Sequence, residues 1–93
     1  MRLAEDIKNY METLVEEEIA LRGLAEKHDN DYLQDLFCLT LNALPPKYVR
    51  YAIDILMYMS NEERAALQKQ VTRALNDATI VMGSNRRKES RSE

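Results

Sequence analysis

This chain of 93 residues has no tryptophan, and cysteine and histidine occur once each. A lone thiol, Cys38, excludes an intrachain disulfide and a cysteine-built metal site. Glycine and proline number two each, so no glycine-rich loop can cradle a phosphate. No apolar run reaches the roughly 20 residues that a membrane-spanning helix needs. The opening residues do not resemble a signal peptide. With only one thiol, these absences lead us to expect a cytoplasmic protein outside the membrane.

The same scarcity argues against catalysis. His28, the only imidazole, sits in His28-Asp29-Asn30-Asp31, where aspartates act more often as turn and cap residues than as ligands. The calcium-loop pattern, with its later glutamate, is missing. Cys38 has no nearby base. It shares a helical face with Leu41 and is expected to be a buried, structural thiol. Glu16 with Glu18, or Asp35 with Asp54, could be drawn as acid and base, but their spacing is unspecific. We therefore expect no enzyme, no cofactor and no metal.

What is present is a helical composition. The hydrophobic share is an ordinary 45%, and Ala, Leu, Glu, Lys, Arg and Met dominate. A chain this short often needs a second copy to complete its core, which points to a homodimer. The net charge is −3. The tail carries Arg86, Arg87, Lys88 and Arg91 against Glu89 and Glu93, a surplus of two positive charges. The rest of the chain is therefore at −5, which argues against duplex DNA as a partner.

Ile7, Tyr10, Met11, Leu14, Val15, Leu21 and Leu24 make one face of a long amphipathic helix from about Ala4 to Lys27. Glu16, Glu17 and Glu18 form a solvated collar on it, and Gly23 weakens it late. Asn30 or Asp31 should cap a second helix from Tyr32 to about Ala43. There Leu36, Phe37, Thr40, Leu41 and Leu44 recur at helical spacing until Pro45-Pro46 stops the run. Tyr48 to Met59 is apolar on both faces. With no second strand to pair with, it is expected to be mainly helical. Ser60-Asn61-Glu62-Glu63 reads as a capping box. It opens a last helix from Asn61 to about Met82, with Leu67, Val71, Ala74, Leu75, Ala78 and Met82 on one stripe. Gly83 should end it. The expected architecture is thus all-α, about four helices with a Pro-Pro corner. Residues 1–82 form one domain, and residues 83–93 form a disordered polar tail.

One cluster stands apart. Beyond the prolines come Lys47, Tyr48, Arg50, Tyr51 and Asp54. Arginine grips phosphate, tyrosine stacks on bases and carboxylates accept from guanine donors, so the set suits a small anionic nucleotide. Tyr and Arg are also common interface anchors, and on the residues alone that structural reading carries more weight.

Two stretches bear a family resemblance. Asn9-Tyr10-Met11-Glu12, followed by Val15, Glu17 and Glu18, is similar to the opening NYME-x-x-V-x-E-E of the late competence development protein ComFB family. Cys38-Leu39 with Leu41-Asn42-Ala43-Leu44-Pro45-Pro46-Lys47-Tyr48 resembles that family's CLALN-x-LPP-R/K-Y signature. The resemblance covers nearly all of residues 1–82. It implies a small all-helical homodimer without enzymatic activity. Cyanobacterial relatives are regarded as cyclic dinucleotide receptors linked to motility and competence. Some Gram-positive relatives bind zinc through a cysteine cluster, which this chain lacks. Lys47 stands where many relatives have arginine, which makes Arg50 the better phosphate ligand.

On that resemblance the expected function is a cytosolic receptor for a cyclic dinucleotide, cyclic di-GMP first, acting on an unidentified downstream protein. Arg50 and Lys47 would meet phosphates, Tyr48 or Tyr51 would stack on a base, and Asp35, Asp54 or Glu16 would read guanine edges. The rival is an adaptor homodimer that binds no nucleotide, with the same block as its seam.

Overall fold

The computed structural model describes residues 6–50, 55 and 57–92, with side chains described as far as Ser84. Among them are a two-stranded sheet and four helices. In chain order these are β1 (Lys8–Asn9), α1 (Tyr10–Leu21), α2 (Leu24–Lys27), α3 (Asn30–Asn42), β2 (Tyr48–Val49) and α4 (Asn61–Ser92). The helical class expected from composition is the class observed.

Helices α1, α3 and α4 pack on one another around two adjoining clusters. The first joins Tyr10, Met11, Leu14 and Val15 of α1 to Leu44, Val71 and Ala74. The second joins Tyr32 and Leu36 of α3 to Leu75, Ala78 and Met82 of α4. Met11, Val15, Leu36, Val71 and Leu75 are fully buried, each contributing on the order of 1.5–3 kcal/mol by removal from water. The stripe read along the last helix is thus the one that faces the core, with Leu67 half-buried at its start. Thr40, fully buried in α3, donates its hydroxyl to the Leu36 carbonyl at 2.7 Å. Its polar atom is thereby satisfied inside the helix.

The long first helix is corrected in two places. It begins only at Tyr10, because Lys8 and Asn9 pair antiparallel with β2, Lys8 opposite Val49 and Asn9 opposite Tyr48. It ends at Leu21, because Gly23 adopts φ +64°. The Gly23 N–H donates to Ala20 and the Arg22 N–H to Glu18, a left-handed close that only glycine makes without strain. Leu21 is 82% exposed rather than on the buried face. Gln68 and Thr72 of α4 share a shallow surface depression with it, and Val71 beside them is turned into the core.

The cap of α3 is also corrected. It is Asp29, not Asn30 or Asp31, whose carboxylate accepts the Tyr32 N–H at 2.8 Å. Cys38 is exposed. Leu36 and Thr40 define the buried line of α3, and a residue two positions from each is turned about 200° away from it. The double-proline corner behaves as read. α3 stops at Asn42, and Leu44, just before Pro45, turns into the core.

Tyr48 to Met59 departs from a purely helical reading. Its first two residues form β2, while Ile55, Met57 and Tyr58 are helical. The partner strand was hidden inside what reads as the first helix. The Ser60 hydroxyl accepts the Glu63 N–H at 3.0 Å, which is the serine half of the capping box. α4 does not stop at Gly83 but runs to Ser92. Gly83 does not take the positive φ that a glycine stop uses, and nothing within 4 Å of its Cβ position forces a turn. No helix among the described residues is long and apolar enough to cross a membrane.

The join between the two ends of the fold rests on Asn9. Its carboxamide oxygen accepts the Met11 N–H at 3.2 Å and the Lys47 N–H at 2.9 Å. The Tyr10 N–H donates to the Lys47 carbonyl at 2.7 Å. Asn9→Ala strands two backbone donors and removes a helix cap. It is expected to destabilise the fold by about 1–3 kcal/mol in urea unfolding.

Removing residues 84–93 should leave the melting temperature unchanged, since the last buried side chain described on α4 is Met82. A fall of several degrees would show that the segment docks. Cys38, being exposed, should react with a thiol reagent in the native protein as fast as in urea-unfolded chain. Strong protection would return it to the core.

Candidate functional site

The corner after α3 delivers the chain to the edge of the core. Pro45 and Pro46 are exposed, and the Asn9 bonds fix the next residue, Lys47, against the start of α1. From there Tyr48 and Val49 pair with β1. The alternation of a strand sends Val49 inward, half-buried on the first core cluster, and Tyr48 outward, 67% exposed.

β2, the helical residues before α4 and the first turn of α4 enclose a cleft of about 240 Å³. Val49, Ile55 and Met59 line it and also pack against the first core cluster. Lys47, Tyr48, Arg50, Tyr58 and Glu63 complete the lining. Ile55 and Met59 are four residues apart and linked by a backbone hydrogen bond of 3.3 Å. That phase leaves Met57 and Tyr58 outside, 66% and 78% exposed.

Electrostatics at the cleft are mixed. The Lys47 ammonium lies 3.6 Å from the Glu63 carboxylate, with both side chains more than 40% exposed. Such an open pair contributes at most about 1 kcal/mol and exchanges readily for another partner. Arg50 is exposed at the rim and has an interaction of its own within the chain. The cleft therefore combines a planar cation, a second cation held loosely by a carboxylate, and two open phenol rings over an apolar floor. Such a set can bind an anion that carries a flat ring.

Of the residues picked from sequence, Lys47, Tyr48 and Arg50 come together here. Glu16 and Asp35 do not line the cleft and are exposed on α1 and α3. Tyr51 and Asp54 lie outside the described residues. The sequence reading missed Tyr58 and Glu63 as lining residues. Tyr58 was legible once Ile55 and Met59 were paired at helical spacing, since it then falls off their line. Glu63 was read only as a capping-box residue reaching back to Ser60, whereas its carboxylate lies 3.6 Å from the Lys47 ammonium. Among the described residues, no group of three or more His, Cys, Asp or Glu side chains could hold a metal ion.

The sequence model of the late competence development protein ComFB family matches residues 8–86. The match spans both strands, the Asn9 bonds, the corner and the cleft. No curated protein and no solved structure matches the chain.

Proposed function

The chain belongs to the late competence development protein ComFB family, and from that premise we propose that it is a non-enzymatic receptor for a cyclic dinucleotide. Cyclic di-GMP is the first candidate, acting in the cytoplasm on competence or motility. The observation that carries the reading is the convergence of Lys47, Tyr48 and Arg50 with Tyr58 on one cleft. Arg50 and Lys47 meet the phosphates. Tyr48 or Tyr58 stacks on a base, and Asp54, next in the chain to the lining residue Ile55, reads a guanine edge. Tyr51, on the same stretch, is a further candidate for stacking. Glu16 and Asp35 take no part.

The size of the cleft bears on assembly. About 240 Å³ falls below the roughly 300–1,000 Å³ of sites that enclose a drug-sized ligand. One cleft covers only part of a dinucleotide. A two-fold ligand is then served by two copies of the chain, each offering one arginine across the axis.

A second reading has an observation of its own. Tyr48, Met57 and Tyr58 are all at least 66% exposed, and aromatic and methionine side chains are enriched at protein interfaces. In that reading the face is the seam of an adaptor homodimer and no nucleotide binds.

Isothermal titration with cyclic di-GMP and cyclic di-AMP, together with sedimentation equilibrium, separates the two. The receptor reading expects one ligand per two chains. It also expects Arg50→Ala to weaken binding by about two orders of magnitude, from two charge-assisted contacts of roughly 1.5–3 kcal/mol each. The adaptor reading expects a dimer, no heat from either nucleotide, and a dimer weakened by Arg50→Ala. Unchanged nucleotide affinity in Arg50→Ala removes Arg50 from the site.

A further inference from the structure

Along the first half of α4, Ala66, Gln70 and Ala74 follow at four-residue spacing, with Lys69, Arg73 and Asp77 as the neighbouring row. Rows of this spacing are the ridges of a helix surface. Here one row is low, because two of its three side chains end at Cβ. Ala43, Leu44 and Pro45, from the corner after α3, form the opposite wall. The groove between them measures about 470 Å³, within the roughly 300–1,000 Å³ typical of small-molecule sites. It shares no lining residue with the cleft at Arg50.

The charges of this groove are unspent. Lys69 and Arg73 are exposed, one turn apart, and neither has an ion pair or hydrogen-bond partner among the described residues. Asp77 stands one turn beyond Arg73 without pairing to it. Cations on a helix face usually serve only to keep it solvated. These two differ in lining a groove floored by alanine and walled by Leu44 and Pro45. The last carbonyls of α3 do not oppose an anion at full strength, since those of Thr40 and Leu41 accept the Ala43 and Leu44 N–H groups.

We propose that this groove binds a small organic anion with an apolar body: an aromatic or aliphatic carboxylate, sulfonate or phosphate. Its head lies between Lys69 and Arg73, away from Asp77, and its body rests on Ala66, Ala74, Leu44 and Pro45. The proposal uses no residue of the nucleotide cleft and stands or falls apart from it.

Anilinonaphthalene sulfonate is a fluorescent anion of this class and serves as the probe, titrated into the full chain. Lys69→Ala and Arg73→Ala should each weaken its binding about fivefold, and less at high salt, as exposed charges are screened. Asp77→Asn should tighten it. Ala66→Leu raises the floor without changing charge or breaking the helix, and should weaken the probe as well. Lys47→Ala, in the other cleft, should leave it unchanged. Circular dichroism melts of each variant separate lost binding from lost folding. The proposal is overturned if wild type does not bind the dye, if the folded groove variants bind it as wild type does, or if Lys47→Ala alone abolishes it.

Discussion

A single carboxamide oxygen, that of Asn9, accepts backbone N–H groups from Met11 and from Lys47, 38 positions later. The first bond starts α1 and the second seats the chain that leaves the Pro-Pro corner. With the Tyr10 N–H bonded to the Lys47 carbonyl and β1 paired to β2, the register of one segment on the other has no freedom left. A shift by one residue would turn Tyr48 inward and Val49 out, since strand side chains alternate. The cleft at Arg50 therefore depends on a hydrogen bond made three residues earlier in the chain, at the Lys47 N–H. Replacing Asn9 costs more than a surface hydrogen bond would, because two backbone donors lose their acceptor together.

The energetics divide along the same line. Stability comes from the buried faces of α1, α3 and α4, where five apolar side chains and Thr40 are fully removed from water. The ion pairs Arg22–Glu18 and Lys47–Glu63 are partly open to solvent and add little. Lys47 can therefore change partners without cost to the core. Tyr48, Met57 and Tyr58 lie outside that core, on a surface available to a ligand or a second copy.

The two openings of the molecule are both consequences of the corner. Pro45-Pro46 ends α3 and forces an extended exit, whose near side walls the groove on α4 and whose far side begins the cleft. Leu44, buried just before the prolines, anchors the corner to the core. One rigid dipeptide thus positions two surfaces of different character. The larger has unpaired cations over alanine; the smaller has aromatic rings over a branched apolar floor.

Much of the helical frame was legible in sequence, because helical periodicity is a local property. The stripe from Leu67 to Met82, the face of Tyr10, Met11, Leu14 and Val15, the Ser60 cap and the stop before Pro45 need only spacing and backbone chemistry to be read. So was half of the candidate site, since Lys47, Tyr48 and Arg50 are close neighbours in the chain. Local rules failed wherever a distant segment decided. Lys8 and Asn9 continue a helical pattern in sequence, yet they form a strand because β2 offers them partners 41 and 39 residues away, which no window along the chain contains. Leu21 and Cys38 fall on apolar-looking faces, but burial requires a neighbour, and the neighbours lie elsewhere. Gly23 and Gly83 are the same residue with opposite outcomes. Glycine only permits a left-handed turn, and packing takes it at the end of α1 and has no use for it in α4. The sequence by itself determined the helices and where most of them could end. Only the tertiary structure decided which ends were used, which side chains met water, and that Tyr58 and Glu63 would stand beside Arg50.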